Sequence, residues 1–224
     1  MPTPTRERII NAAYDLLREG GREAVSTRAV SAAAGVQAPT IYRTFGDKQG
    51  LLDAVAMHGF SSYLAGKGAL AQTDDPVDDL RAGWDLHVGF GVANPACYSL
   101  IYGEPRAGLA SPAAVAAAEI LAVQVNRIAV AGRLRVTEPR AAFMIHAAGC
   151  GTTLSLIALP ADRRDPQLSV LAREAVIAGV TFPDGAAHGD SAVALRAVVG
   201  SSDVLTPGER ALMTEWLDRF TTER

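Results

Sequence analysis

A chain of 224 residues, 49% of them hydrophobic, can bury one good core or a small module fused to a larger one, and is too apolar to be disordered over most of its length. Alanine supplies much of that share, aromatics only 6%, and no stretch alternates apolar and polar with a period of two, so the expected fold class is all-α. The net charge of −3 argues against nucleic acid for the chain as a whole, but residues 1–50 hold seven basic against five acidic side chains and the remainder 14 against 19.

The start, Met-Pro-Thr-Pro-Thr-Arg, lacks an apolar signal core. Residues 6–18 then repeat apolar groups at helical spacing through Ile9, Ala13, Leu16 and Leu17, and Gly20-Gly21 is expected to end that helix. Thr27 is the expected N-cap of a short helix to Ala34, with Gly35 turning the chain. A second short helix is expected from Ala38 to Phe45. Gly46 breaks it, and Asp47 caps a further helix from Lys48. Beyond it, Asp75-Pro76, Ser111-Pro112, Asp165-Pro166 and Thr206-Pro207 each pair a capping side chain with a proline at the first helical position. Thr206 has Glu209 three residues on, the spacing of a capping box. Thr137 is the expected start of a helix running to Pro160, and Thr181–Gly189 reads as a loop. The total expected is nine or ten helices. The longest apolar stretches carry Glu119 or stop at Pro160, which reads as short of a membrane span.

Two short helices joined by a glycine turn match the helix-turn-helix plan. A helix destined for the major groove can bury only a narrow stripe. Ile41 and Phe45, spaced i,i+4, supply that stripe against Val30, Ala34 and Val36. Thr40, Arg43 and Thr44 share the opposite face, and Gln37 and Ala38 sit at its N-terminal tip, where base edges are usually reached. Arginine suits guanine and glutamine suits adenine. Tyr42, Thr27 and Lys48 are placed to bond phosphates, which fix register rather than sequence. An ordinary solvated helix face would carry the same residue types without this frame.

The run Thr27…Ala34-Gly35-Val36…Thr40-Ile41-Tyr42-Arg43-Thr44-Phe45-Gly46-Asp47-Lys48 resembles the N-terminal pattern of the TetR family of transcriptional regulators. The resemblance covers about the first fifty residues. Gln37 stands where the family often has serine and Thr44 where it often has histidine, both on the DNA side, and Arg28 matches a position that often touches DNA. The resemblance implies a DNA-binding domain over residues 1–50, a helical ligand-binding and dimerisation domain over 51–224, and a homodimer on palindromic operator DNA. It also implies a small-molecule effector whose binding separates the two recognition helices. The dimer surface it implies is the helices near 138–159 and 166–180, where Ala142, Ala147, Ala148 and Gly149 would allow close approach. The stretch from Trp84 to Arg106 resembles the C-terminal domain of actinobacterial members.

In the larger part of the chain Trp84, His87, Phe90, Tyr98, Tyr102, Phe143 and His146 gather half of the aromatics and histidines in two regions. They read either as the apolar walls and polar groups of a ligand pocket or as plain bundle core. Gly89, Gly91, Gly149 and Gly151 interrupt helical runs, which suggests close packing or room for a ligand. Cys97 and Cys150 are too few and too far apart for a disulfide framework or a Cys-pair zinc site. His146 and Cys150 share a helix face, but two ligands do not make a metal site, so no metal and no cofactor is expected. No nucleophile–base pairing or phosphate loop is visible, so the chain is not expected to be an enzyme. The expected function is a cytoplasmic, ligand-responsive repressor without membrane contact. The rival is a helical protein-interaction scaffold, and behind it an enzyme using His87, His146 or Cys150.

Overall fold

The computed structural model describes residues 4–68, 72–104, 109–183 and 191–222. Its described residues form eleven α-helices and one short 3-10 turn at Ala161–Arg163, so the chain is all-α. Two compact units result, one drawn from residues 1–69, 89–117 and 153–160, the other from 70–88, 118–152 and 161–224.

The first unit opens with α1 (Pro4–Ala24), α2 (Thr27–Ala34), α3 (Ala38–Phe45) and α4 (Lys48–Gly68). In α1 Ile9, Ala13 and Leu17 of the expected stripe are fully enclosed, while Leu16 is half-buried. Gly21 does not end this helix outright. It takes φ 68°, a conformation cheap only without a Cβ, and the chain makes one further turn to Ala24. The cap of α2 is Ser26 rather than Thr27: the Ala29 N–H donates to Ser26 Oγ at 3.2 Å. Both residue types cap well. Fully buried Val25 immediately precedes Ser26, which takes the extended conformation a cap requires. Gly35 closes α2 in the left-handed region (φ 61°), and the Val36 N–H reaches back to the Ser31 carbonyl at 3.0 Å. The expected cap of α4 is present, with the Gly50 N–H donating to Asp47 at 2.7 Å.

The proline-marked starts at 76, 112, 166 and 207 open α5 (Pro76–Ala93), α7 (Pro112–Val130), α9 (Pro166–Val180) and α11 (Pro207–Thr222). Asp75, Ser111 and Asp165 each accept an N–H of the first turn, and Thr206 and Glu209 exchange the bonds of the capping box. The expected helix after Thr137 is α8 (Glu138–Ala158). Two helices were not anticipated: α6 (Pro95–Tyr102) and α10 (Ser191–Val199), which raise the total above nine or ten. Asn94 precedes Pro95 but makes no capping bond, and its amide donates instead to the Phe90 carbonyl. Of the expected loop Thr181–Gly189, Thr181 pairs with Leu134 in an antiparallel bridge and Phe182 lies under the Arg135 guanidinium at 4.3 Å, while residues 184–189 lie outside the described residues.

By length and composition α7 and α8 are each apolar enough to cross a membrane, contrary to the reading of these stretches as too short. Their polar side chains are tied into the fold: Arg127 of α7 pairs with Asp79, and Asn126 donates to Glu138 at 2.9 Å.

Ion pairs organise the second unit around the start of α5. Asp79, 7% exposed, accepts from the Arg127 guanidinium and from the Thr73 N–H and hydroxyl. Asp75 pairs with Arg133 at 2.6 Å. Arg81 bridges Asp78 and Glu174, and Arg173 bridges Asp85 and Glu174. Burial works to raise the Asp79 carboxyl, but the bonds from Arg127 and Thr73 outweigh it and hold the group below the usual carboxylate range. A folded pKa below the unfolded one adds stability that is present at neutral pH and lost as pH falls through the carboxylate range. Asp79→Asn should therefore destabilise the protein at pH 7 by about 2 kcal/mol, leaving Arg127 without its charge partner. Its loss of stability between neutral and acid pH should also be smaller than the wild type's. Urea unfolding at both pH values checks this. Parallel pH dependence in the two proteins would rule out the pair as the cause.

Candidate nucleic-acid interface

Within the first unit α1 packs on α2 and α4, and α3 packs on α2 and α4. Arg8 of α1 donates to the Ala34 carbonyl at 3.0 Å, which places a cation at the negative end of α2. Ile41 is the one buried residue of α3, at 1% exposure. Phe45 is half-buried, with the Arg6 guanidinium 5.4 Å from its ring centre, so the stripe named from spacing holds α3 by one fully enclosed side chain and one partly covered ring.

The other face of α3 is open. Tyr42 is 50% exposed, and Gln37, Arg43, Lys48 and Arg28 are also exposed. Gln37 stands at the N-cap position of α3 in extended conformation, yet its amide makes no capping bond, so its donors and acceptor point to other uses. Arg28, Arg43 and Lys48 pair with no carboxylate among the described residues. Asp47, the acid nearest in sequence to Arg43 and Lys48, is engaged by the Gly50 N–H. Thr27, Ala38, Thr40 and Thr44 are half-buried. Thr44 differs from the expectation of a freely presented hydroxyl: it donates to the Thr40 carbonyl at 2.7 Å, which leaves only its acceptor side available. Pro39, exposed at the start of α3, is a surface residue of this tip that spacing alone did not single out.

The aromatic candidates divide between the units. Phe90, Tyr98 and Tyr102 lie in the first, in a cluster whose centre is two unanticipated rings of α4, Phe60 and Tyr63. Phe60 stacks on Tyr63 at 4.3 Å and meets Phe90 edge-on at 5.0 Å, and Tyr98 lies 4.8 Å from Tyr102. Gly91 allows this packing, since a Cβ there would strike the Thr153 methyl and come within 2.8 Å of the Tyr98 ring. Trp84 and His87 lie in the second unit, where a Cβ added at Gly149 would lie 3.6 Å from each ring and the Trp84 indole donates to Ser169 at 3.0 Å. Phe143 stands 72% exposed on α8, and His146 is exposed one turn further, 3.7 Å from the Cys150 sulfur. A Cβ added at Gly89 or Gly151 would meet nothing within 4 Å, so neither glycine is required by close packing. Among the described residues no three His, Cys, Asp or Glu side chains converge on a metal position. Burial pushes the Cys97 thiol up to about 12, which makes it a core residue rather than a nucleophile.

Residues 9–55 match the family model for bacterial regulatory proteins of the tetR family. The N-terminal module is a tetR-family helix-turn-helix domain. Over 88 residues, 38% of this chain and 42% of the relative, the sequence is 38% identical to the HTH-type transcriptional regulator YvkB of Bacillus subtilis. Over 68 residues, 28% of this chain and 31% of the relative, it is 37% identical to the class D tetracycline repressor protein of Escherichia coli. The chain thus spans less than half the length of these curated relatives. Solved structures share the fold more widely. A bacterial regulatory protein in the tetR family from Rhodococcus RHA1 superposes with a TM-score of 0.60 at 21% identity, covering 82% of this chain and all of that one. A TetR variant from Acinetobacter baumannii AYE in complex with minocycline gives a TM-score of 0.59 at 21% identity, covering 77% of this chain and 94% of that one.

Helix α6 packs on α1 and α4, and the packing is tightest at Gly59. A Cβ on Gly59 of α4 would lie 2.5 Å from the Tyr14 ring of α1 and 2.7 Å from the Cys97 sulfur of α6. Gly59→Ala should therefore cost about 1–3 kcal/mol through overpacking, despite the better helix propensity of alanine. The urea midpoint reads this. A midpoint equal to or above the wild type's would show that α1, α4 and α6 do not meet this closely.

Proposed function

We propose that the chain is a ligand-responsive transcriptional regulator, most simply a repressor, that binds palindromic operator DNA as a homodimer and is released by a small, mostly apolar molecule. The observation that carries this reading is the open face of α3 in a tetR-family module: a buried Ile41 behind, and Gln37, Tyr42, Arg43 and Lys48 exposed in front. In the helix-turn-helix mode Arg43 and Gln37 read base edges, while Thr27, Arg28, Tyr42 and Lys48 hold phosphates. Ala38, Thr40 and Thr44 line the same helix and fill the groove between them. The chain then acts as a regulator rather than an enzyme, divides in function near residue 50, and works in the cytoplasm where the DNA is.

Dimerisation is supported by an apolar face on α8 and α9. Phe143 and Leu171 are 72% and 66% exposed, with Met144 and Leu168 beside them. The two helices meet where Met144 comes within 3.9 Å of a Cβ placed on Gly179. A second copy laid on this face by a two-fold axis would complete a four-helix bundle and supply two copies of α3, one for each half-site. Relatives named as tetracycline repressors, and a related structure in complex with minocycline, support a small-molecule effector. The cluster of Phe60, Tyr63, Phe90, Tyr98 and Tyr102 supports an apolar body for it.

Fluorescence anisotropy on a palindrome from the DNA upstream of the gene tests the DNA contacts. Arg43→Ala should lose about 1–3 kcal/mol and relax preference at one base pair per half-site. Lys48→Ala should weaken all sequences alike and reduce the salt slope by about one unit per half-site. Wild-type behaviour in both variants would leave the protein-interaction scaffold as the better reading. Separately, a charge placed on the exposed face of α8 by Ala147→Asp should shift sedimentation toward monomer and abolish operator binding. A variant that stays dimeric would move the interface elsewhere.

A further inference from the structure

Phe60, Tyr63 and Lys67 are spaced i, i+3, i+7 and share one face of α4. That face is buried, and the lysine is buried with it, at 8% exposure. Lysines at the edge of a core ordinarily keep the ammonium in water or pair it with a carboxylate. Lys67 does neither. Among the described residues its ammonium meets only the Tyr63 ring, 5.8 Å from the centroid, and no carboxylate. Because the group lies over the residue four positions back, the side chain runs toward the N-terminus of α4 and away from its free terminal carbonyls. It is therefore not a helix C-cap.

Its surroundings are apolar. Tyr63 stacks on Phe60 and lies 5.3 Å from Phe90, and Phe60 meets Tyr102 at 6.3 Å. Desolvation alone pulls the Lys67 ammonium down to about 8, so at pH 7 the site still carries mostly a positive charge. A desolvated charge with a π face on one side and no counter-ion among the described residues is costly to keep, and an anion that enters recovers that cost as binding energy.

We propose that Lys67 is the anion-binding residue of the effector site: the effector carries one carboxylate or sulfonate, which the ammonium receives, on an apolar planar body that lies against Phe60, Tyr63 and Phe90. The proposal rests on the reading of this protein as ligand-responsive and narrows that ligand's class. A single ammonium matches a single anionic group and is poorly suited to a polyphosphate.

The test uses the full-length protein and two fluorescent probes with nearly the same body: anilinonaphthalene sulfonate, which is anionic, and phenylnaphthylamine, which is neutral. Both should bind the wild type saturably. Lys67→Met should weaken the sulfonate about ten- to a hundredfold while changing the neutral probe by no more than about twofold. Lys67→Arg should restore most of the sulfonate affinity. The melting temperature of Lys67→Met should equal or exceed the wild type's, because an uncompensated buried charge has been removed. Should that variant fail to fold, Lys67→Gln is read in the same way. Unchanged sulfonate binding in Lys67→Met, or an equal loss for both probes, overturns the assignment and leaves an apolar effector site standing. Failure of both probes to bind the wild type overturns the assignment and the apolar effector site together.

Discussion

The burial of Ile41 is the interaction on which the candidate interface depends. Helix α3 has eight residues, too few to be stable in water by itself. It exists because one side chain at 1% exposure fixes it against its neighbours and because Gly35 and Gly46 turn the chain sharply at either side. Using a single fully buried residue leaves the rest of the helix to solvent. A wider apolar stripe would hold α3 more firmly but would remove the surface that carries Gln37, Tyr42 and Arg43. Stability and exposed hydrogen-bonding surface therefore compete for the same two turns, and the compromise is a narrow stripe between two glycine turns.

The rest of the first unit supplies the rigidity that α3 lacks. The Arg8 bond to the end of α2, the cation over Phe45 and the tight Tyr14–Gly59–Cys97 contact tie α1 to α2, α3, α4 and α6. A shift of α4 or α6 would consequently be felt by α1, which gives a physical route by which events at the aromatic cluster bear on the helix-turn-helix. Phe60, Tyr63 and Lys67 lie on α4 itself, the helix that begins at Lys48.

Much of this was legible in the sequence because it is local. Caps, proline starts and the Gly35 turn each involve residues within four positions of one another, and the structure reproduces them with shifts of a residue, as at Ser26. Helix α6 carries the same local mark, Asn94 before Pro95, although in the structure Asn94 makes no capping bond. The aromatic candidates were less legible. Helix α8 is apolar on most sides, so its periodicity cannot tell a core side chain from a surface one, and Phe143 proves to be exposed. The division of Trp84 and His87 from Phe90, Tyr98 and Tyr102 is tertiary and leaves no mark in spacing. Lys67 does carry a local signal: a cation seven residues after Phe60 and four after Tyr63 falls on the same helical face.

In the proposed function two copies of this chain read a symmetric DNA site through α3. Selection of bound duplexes from a random-sequence library by the wild-type protein tests it most directly. An inverted repeat should be enriched, with half-site centres separated by about one helical turn or a multiple of it, as a two-fold pair of recognition helices requires. Recovery of sequences without inverted symmetry, or no enrichment above the starting library, would contradict it.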